Sequence, residues 1–476
     1  MTHITLNNPF TGEQVFAVDS ETREQVLQRA SRAQNASKAW SQVPVNERVE
    51  LLRQALQYFE QHNDDIASGI TREMGKPLAA AREELHFMLD RARKMCDFAS
   101  DGALQPVDLS RYHEPQFAGR IEYRAKGVVY IITPWNYPLF CAINGSIAAL
   151  LSGSAVLLKH TTTPSVGDHF QRAFGQLGGC SNLLQHVLVD FATSAELIEH
   201  GDINHVIFTG SVRGGREIAH SVARRCHNDV RNPFIQCALE LGSNDAAYIA
   251  ADADLAHAAQ WAVKIGRLHN SGQSCCAVKR VYCHADVHNE FVQRAHEIMR
   301  KEVSGDPCAA STTLGPLCGG EQAVNGLQAM IDDAVGKGAE IVCGGGSERI
   351  GQALFLQPTL LTGCDHNMQV MRDETFGPVL PVMQVADDEQ AIRQVTDTRY
   401  GLTSSIFTRS RTRAERYIAA MASGTVYVNA CNFVDARLGW IGHGHSGNGA
   451  IALSPLGLQA LSSPHSVNIN PQQLDD

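Results

Sequence analysis

Thirteen cysteines stand in this sequence, yet no two of them form a Cys-x-x-Cys pair. That absence weakens both a zinc site and a dithiol redox motif. Most of these cysteines are expected to be small buried hydrophobes in a reducing compartment, most simply the cytoplasm. Also missing is any run of about 18 apolar residues, so no membrane-spanning helix is expected. The longest apolar stretch, Ile143 to Leu158, is broken by Asn144, Gly145, Ser146 and Ser152-Gly153-Ser154. Met1-Thr2-His3-Ile4 lacks a basic region followed by an apolar one, so no signal peptide is read. Positive charge is not in excess: the net charge is −10, and a nucleic-acid partner is not expected. No internal repeat or low-complexity stretch is found.

What is present is a globular composition, 44% hydrophobic and 19% charged. With 476 residues the chain is too long for one core, and its length suggests about three domains. Residues 21–100 read as helices, with Val49, Leu52, Leu56 and Phe59 at helical spacing. Gly127 to Thr133 reads as a buried strand ending at Pro134, followed by a helix over 138–151 and a strand at Ala155–Leu158. Strand and helix then alternate: His205–Phe208, Gly214–Arg224, Ala246–Ile249 and Leu255–Gly266. A second alternating block spans about 276–430, with strands at Val281-Tyr282, Ile341-Val342, Ser404–Phe407 and Thr425–Val428. Such alternation predicts an α/β fold with parallel sheets covered by helices. The polar tail beyond Asn468 is expected to fray.

The chemistry centres on Asn270-Ser271-Gly272-Gln273-Ser274-Cys275-Cys276, which lies 35 residues (275 − 240) after Glu240-Leu241-Gly242. A free thiol titrates near ~8.5, so a cysteine nucleophile needs help to ionise at neutral pH. A carboxylate that takes a proton, directly or through water, completes a pair suited to covalent catalysis. These segments resemble the Glu-Leu-Gly-Gly and Asn-x-Gly-Gln-x-Cys motifs of the aldehyde dehydrogenase superfamily. The resemblance implies that Cys275 attacks an aldehyde and that Glu240 activates the water that hydrolyses the thioester. Two departures stand out. Ser243 replaces the second glycine of the first motif, and the Glu-to-Cys interval is about one residue longer, with the extra residue between Trp261 and Arg267.

Further segments match the family in order. Thr133-Pro134-Trp135-Asn136-Tyr137-Pro138 carries its Pro-Trp-Asn-x-Pro, which implies that Asn136 and the N–H of Cys275 form an oxyanion hole. Phe208-Thr209-Gly210-Ser211 through Gly215 resembles its phosphate-binding turn, where a helix N-terminus favours an anion. Lys159 matches a lysine on the adenosine ribose. Thr162 stands where many NAD-preferring members carry a glutamate, so NAD or NADP should be accepted. Glu374-Thr375-Phe376-Gly377-Pro378 matches Glu-x-Phe-Gly-Pro, which implies nicotinamide-ribose contacts from Glu374 and packing of Phe376. Thr133, Pro134, Trp135, Leu241 and Gly242 complete the expected cofactor residues.

Substrate is expected along Cys141, Asn144, Ser274 and Cys276. Asn144 occupies the place of an arginine found in succinate-semialdehyde enzymes, which makes an acidic semialdehyde a less expected substrate. Near the C-terminus, Gly439 to Gly449 matches the family only loosely and lacks its Lys and Arg. His443 and His445 within it are not read as metal ligands.

The resemblance implies a Rossmann-type cofactor domain at 1–103 and 127–241 and a catalytic α/β domain at 242–445. A small β oligomerisation flap would comprise 104–126 and 446–476. An exposed ribbon there would need covering, so a homodimer or homotetramer is expected. Two rival readings are a coenzyme A-acylating dehydrogenase, which Glu240 argues against, and a noncatalytic binding or scaffold protein of the same fold.

Overall fold

A computed structural model describes residues 2–474. An N-terminal hairpin, His3–Asn7 with Gln14–Asp19, precedes the helices; no element is predicted there from sequence. Four helices follow: Arg23–Trp40, Val45–Gln61, Asn63–Met74 and Leu78–Ser100. Thr22 and Gln25 close the first in a reciprocal capping box. Val49, Leu52, Leu56 and Phe59 face inward on the second, as their spacing predicts.

The first sheet has five parallel strands, in the spatial order Gln236–Glu240, His205–Thr209, Val128–Ile132, Ala155–Lys159, Leu184–Val187. The chain enters at Val128–Ile132, runs to one edge, then returns to the other side. The order therefore reverses between Val128–Ile132 and His205–Thr209. A ligand crevice is expected outside the C-terminal ends of the strands at such a reversal. The completely buried runs VVYII and AVLLK reflect helices on both faces.

The second sheet has seven strands, ordered Glu340–Cys343, Thr359–Thr362, Val379–Val385, Arg280–His284, Ala246–Ile249, Thr403–Phe407, Thr425–Val428. Only its first pair is antiparallel. Val379–Val385 escaped the sequence reading because Pro381 interrupts it. The structure accommodates Pro381 at the changeover of two ladders: Leu361 is its partner on one side, and pairing on the other begins at Val382.

Two further differences matter for the site. The single helix read over 255–266 is instead a short α-helix, Leu255–Ala259, that runs into a π-helix, Gln260–Leu268. A π-helix absorbs an added residue without moving its flanks, and it falls where the extra residue was located in the sequence. The C-terminal segment also divides. Ser462–Ile469 pairs antiparallel with Ala118–Ala125 in a two-stranded ribbon. Leu453, Leu458 and Leu461 before it are buried in the core of the first sheet. Asn470–Leu474 leave the ribbon through a 3-10 turn, and the last two residues of the expected tail lie outside the described residues.

Candidate active site

The nucleophile loop owes its shape to three successive left-handed residues: Asn270 (φ 53°), Ser271 (φ 55°) and Gly272 (φ 76°). Such a run is unfavourable for the two residues that carry a Cβ, so the surroundings must hold it. The Asn270 amide donates to the carbonyls of Asn136 (2.9 Å) and Gln273 (3.0 Å). The Ser271 hydroxyl donates to Gly315 O at 2.9 Å, and Gln273 Oε1 accepts from Cys318 N at 2.9 Å. Buried Arg267 donates from Nη2 to Gly272 O at 2.6 Å and to Thr375 O at 3.2 Å. A Cβ on Gly272 would collide with the carbonyl of Gly377. The residues of the Asn-x-Gly-Gln motif therefore act as scaffold for the thiol that follows.

Below Cys275 lies Lys279, with no exposed surface. Its Nζ donates to Cys275 O (2.6 Å), Ser274 O (2.9 Å) and Ser243 Oγ (3.0 Å), and lies 3.4 Å from Glu374 Oε1. The Ser243 hydroxyl also donates to Cys275 O. The serine that departs from the family pattern is thus part of the support of the nucleophile loop. Cys275 itself is half-buried and opens onto a cavity. The neighbouring Cys276 thiol and burial push its thiol up, while the Lys279 charge opposes them. The resting thiol is therefore protonated. The Cys276 thiol donates to Asn432 Oδ1 at 3.1 Å, and its contact with the Cys275 thiol pulls it down despite burial.

Glu240 ends its strand inside the same cavity, where burial raises its carboxyl to about 7 against the opposing charge of Arg91 and a hydrogen bond from Trp440. That value suits a base working near neutral pH. The C-terminal loop reaches Glu240 through its backbone. Leu241 N donates to Ser446 O at 2.9 Å, and the Asn448 amide bonds Leu239 N and Cys237 O.

Asn136 is buried, and its carbonyl accepts from Lys76 Nζ at 2.8 Å as well as from Asn270. Its side-chain amide has no partner among the described residues. Lys76 pairs with Glu84, and Glu84 Oε1 accepts from Leu139 N (2.9 Å) and Phe140 N (3.2 Å). The carboxylate thereby caps the helix Pro138–Leu151 that leads away from Asn136. Lys76 escaped the sequence reading because Gly75 and Pro77 on either side marked only a turn.

A cavity of about 330 Å³ contains Cys275, Cys276, Glu240, Cys141 and Asn144 in its wall, along with Arg91, Trp261 and Trp440. Ser274, expected to line the substrate path, does not. It has no exposed surface, and its hydroxyl donates to Asn432 Oδ1 at 3.0 Å. The reason is local: one residue before the thiol, the backbone turns this side chain into the protein. Asn144 is bonded to a cation from another helix, since Arg91 Nη1 donates to its Oδ1 at 2.9 Å. The expectation against an acidic semialdehyde rests on Asn144 alone, and Arg91 lies on another helix. Asn432 and Arg91 were invisible in sequence because neither belongs to a local motif.

Apart from Glu374 and Phe376, the expected cofactor residues lie at or just beyond the C-terminal ends of four first-sheet strands. Thr133 Oγ1 donates to Lys159 O at 3.1 Å, joining two of these ends. Ser211 caps the helix Val212–Arg225, whose first N–H groups face the reversal of strand order. A Cβ on Gly215 would lie 2.6 Å from Leu241 Cδ2, and one on Gly210 would lie 2.6 Å from the Phe208 ring. Burial lowers the Lys159 ammonium to about 8, and its Nζ reaches Thr161 Oγ1 at 3.1 Å. Beside it, Thr162 Oγ1 is buried without a partner. On the catalytic side, Ser243 N donates to Glu374 Oε1 at 3.0 Å, and the rings of Trp135 and Phe376 meet edge-on at 5.7 Å. A Cβ on Gly242 would strike the Glu374 carboxylate. Free hydroxyl, helix N-terminus, ammonium and carboxylate form a donor and acceptor set that fits a dinucleotide. Among the described residues no cluster of His, Cys, Asp or Glu could hold a metal, and no helix is long and apolar enough to cross a membrane.

The chain matches the aldehyde dehydrogenase family over residues 1–467. It is 32% identical to a succinate-semialdehyde dehydrogenase [NADP(+)] of Deinococcus radiodurans, over 98% of this chain and 94% of the relative. Its fold superposes on lactaldehyde dehydrogenase from Escherichia coli with a TM-score of 0.91 at 28% identity, covering 99% of this chain and 96% of the other. An NADP complex of NADP-dependent glyceraldehyde-3-phosphate dehydrogenase from Bacillus halodurans C-125 gives 0.88 at 27% identity, covering 98% and 96%. A thiol and a base share one cavity, and relatives match along nearly the full length: the chain belongs to the aldehyde dehydrogenase family.

Proposed function

We propose that this protein oxidises an aldehyde to a carboxylic acid with NAD or NADP, through a thioester on Cys275. The observation that carries the reading is the shared cavity of Cys275 and Glu240, with the Glu240 carboxyl raised to about 7. The Cys275 thiol gives up its proton to solvent water, and the sulfur adds to the aldehyde carbon. The Asn136 amide and the Cys275 N–H stabilise the oxyanion, which appears only after that addition. When bound, the nicotinamide supplies the acceptor for the hydride that leaves this carbon. Lys159, Thr162, Gly210, Ser211, Gly215 and Glu374 would hold the cofactor, with Thr133, Pro134, Trp135, Leu241, Gly242 and Phe376 shaping its bed. Glu240 then takes a proton from water as its oxygen attacks the thioester, and Cys275 departs as thiolate. A water-activating base in the tunnel argues against coenzyme A as acyl acceptor.

Residues 1–103 with 127–241 serve as cofactor domain and 242–445 as catalytic domain in this reading. The ribbon of Ala118–Ala125 and Ser462–Ile469 has the form of a flap that another subunit covers, giving a dimer or tetramer. The compartment is the cytoplasm, in keeping with thirteen unpaired cysteines.

The test is formation of reduced nicotinamide from short, long, aromatic and carboxylated aldehydes, with NAD and with NADP, beside Cys275→Ala. Turnover that vanishes in the variant while cofactor still binds is the expected result. Silence of the unaltered protein across the panel, with cofactor bound, favours a noncatalytic scaffold.

A further inference from the structure

Arg91 stands in the cavity wall, and the proposed chemistry leaves it idle. It stands on the helix Leu78–Ser100, and only 6% of its surface is exposed. A guanidinium has five N–H donors. Two are engaged: Nη1 with Asn144 Oδ1 at 2.9 Å and Nη2 with Val434 O at 3.2 Å. Its carbon lies 4.2 Å from the centre of the Phe140 ring. All three partners are uncharged, and among the described residues no carboxylate forms an ion pair with Arg91.

The other charges around the cavity are matched or face water. Asp90 pairs with Lys94 at 2.6 Å, Glu84 with Lys76, and Asp435 with Arg437 at 2.5 Å. Glu83 is exposed. Glu240 feels the Arg91 charge without pairing with it and is reserved for water. A buried cation without a counter-ion is unfavourable, because desolvation weakens it and nothing repays the loss. Such a group in a ligand cavity is a candidate for binding a charge that arrives with the ligand. The planar fork of one guanidinium matches the two oxygens of one carboxylate. Asn144 fixes the fork from one side and Phe140 from its face, so little ordering remains when an anion binds. The cavity, about 330 Å³, lies at the lower end of the size of small-molecule sites.

We infer that Arg91, oriented by Asn144, binds a carboxylate carried by the aldehyde substrate, and that the preferred substrates are short ω-carboxy aldehydes. The inference rests on the function proposed above. Arg91 supplies from a different helix the charge that Asn144 lacks.

Succinic semialdehyde and butanal, equal in carbon number, provide the test. The unaltered protein should show a kcat/KM for the carboxylated aldehyde at least about tenfold above that for butanal. In Arg91→Met the ratio of the two kcat/KM values should fall about a hundredfold, chiefly through KM for succinic semialdehyde, with partial recovery in Arg91→Lys. An unchanged ratio in Arg91→Met, with both aldehydes losing equally, would make Arg91 a structural support and overturn the inference. So would a preference of the unaltered protein for butanal. If Arg91→Met does not fold, competition in the unaltered protein decides. Glutarate should inhibit butanal oxidation at least about ten times more strongly than uncharged glutaramide, and equal inhibition is contrary. Absence of any Cys275-dependent turnover with both aldehydes would instead remove the function on which the inference rests.

Discussion

On the cofactor side of Cys275, functional residues emerge at the C-terminal ends of adjacent parallel strands. On the substrate side they are gathered from helices and loops far apart in the chain. Thr133, Lys159, Gly210 and Glu240 each end a strand of the first sheet, or follow it at once, so hydrogen bonding of the sheet sets their spacing. The tunnel wall takes Arg91 from one helix, Asn144 from another, Trp261 from the π-helix and Asn432 from a loop. The first arrangement fixes chemistry common to a family. The second can change one residue at a time, since no ladder joins its members. Between them lies the nucleophile loop, held by the buried cations Arg267 and Lys279 through backbone carbonyls.

Substitutions at the nucleophile and the base should cost most, and those at the cofactor bed least. Cys275→Ala should lower kcat by at least about 10⁴-fold while cofactor binding persists, because only the acyl acceptor is removed. Retained turnover would move the nucleophile elsewhere, with Cys276 the nearest candidate. Glu240→Gln should lower steady-state turnover about 10²- to 10³-fold while sparing the first burst of reduced cofactor. Because burial raises the Glu240 carboxyl to about 7, its basic form grows as pH rises through that value. Hydrolysis in the unaltered protein should accelerate there, and the Gln variant should lose that limb of the profile. Lys279→Met strips three carbonyls and Ser243 of a buried donor. It should destabilise the fold by about 3 kcal/mol in urea melts and slow alkylation of Cys275. A variant as stable and as reactive as the parent would detach the buried ammonium from the loop. The smallest effect belongs to Thr162→Glu. A carboxylate beside Lys159 should raise KM for NADP about tenfold more than KM for NAD, and a matched rise would place the extra phosphate elsewhere.

Legibility in sequence follows the same division. Short motifs carried Cys275, Glu240, Asn136 and Glu374, because each sits in a segment whose neighbours have local duties, as Gly272 and Gly242 do. Buried apolar runs announced the strands Val128–Ile132 and Ala155–Lys159 and the helix between them. Val379–Val385 stayed hidden because Pro381 conceals a ladder changeover. The π-helix registered only as one residue too many between Glu240 and Cys275. Arg91, Lys76 and Lys279 could not be read, since a charged residue in a helix or next to a turn usually points to water. Their roles arise from tertiary burial that no local pattern records.

Glu240→Gln should trap the thioester on Cys275. The variant would be mixed with a short aldehyde and oxidised cofactor, quenched after the burst, and examined by intact mass and peptide mapping. One acyl group per chain is expected, placed on Cys275 by fragmentation of the peptide that holds both cysteines, and matching one reduced cofactor formed. A full burst with no acyl adduct, or an adduct on Cys276, would contradict a Cys275 thioester.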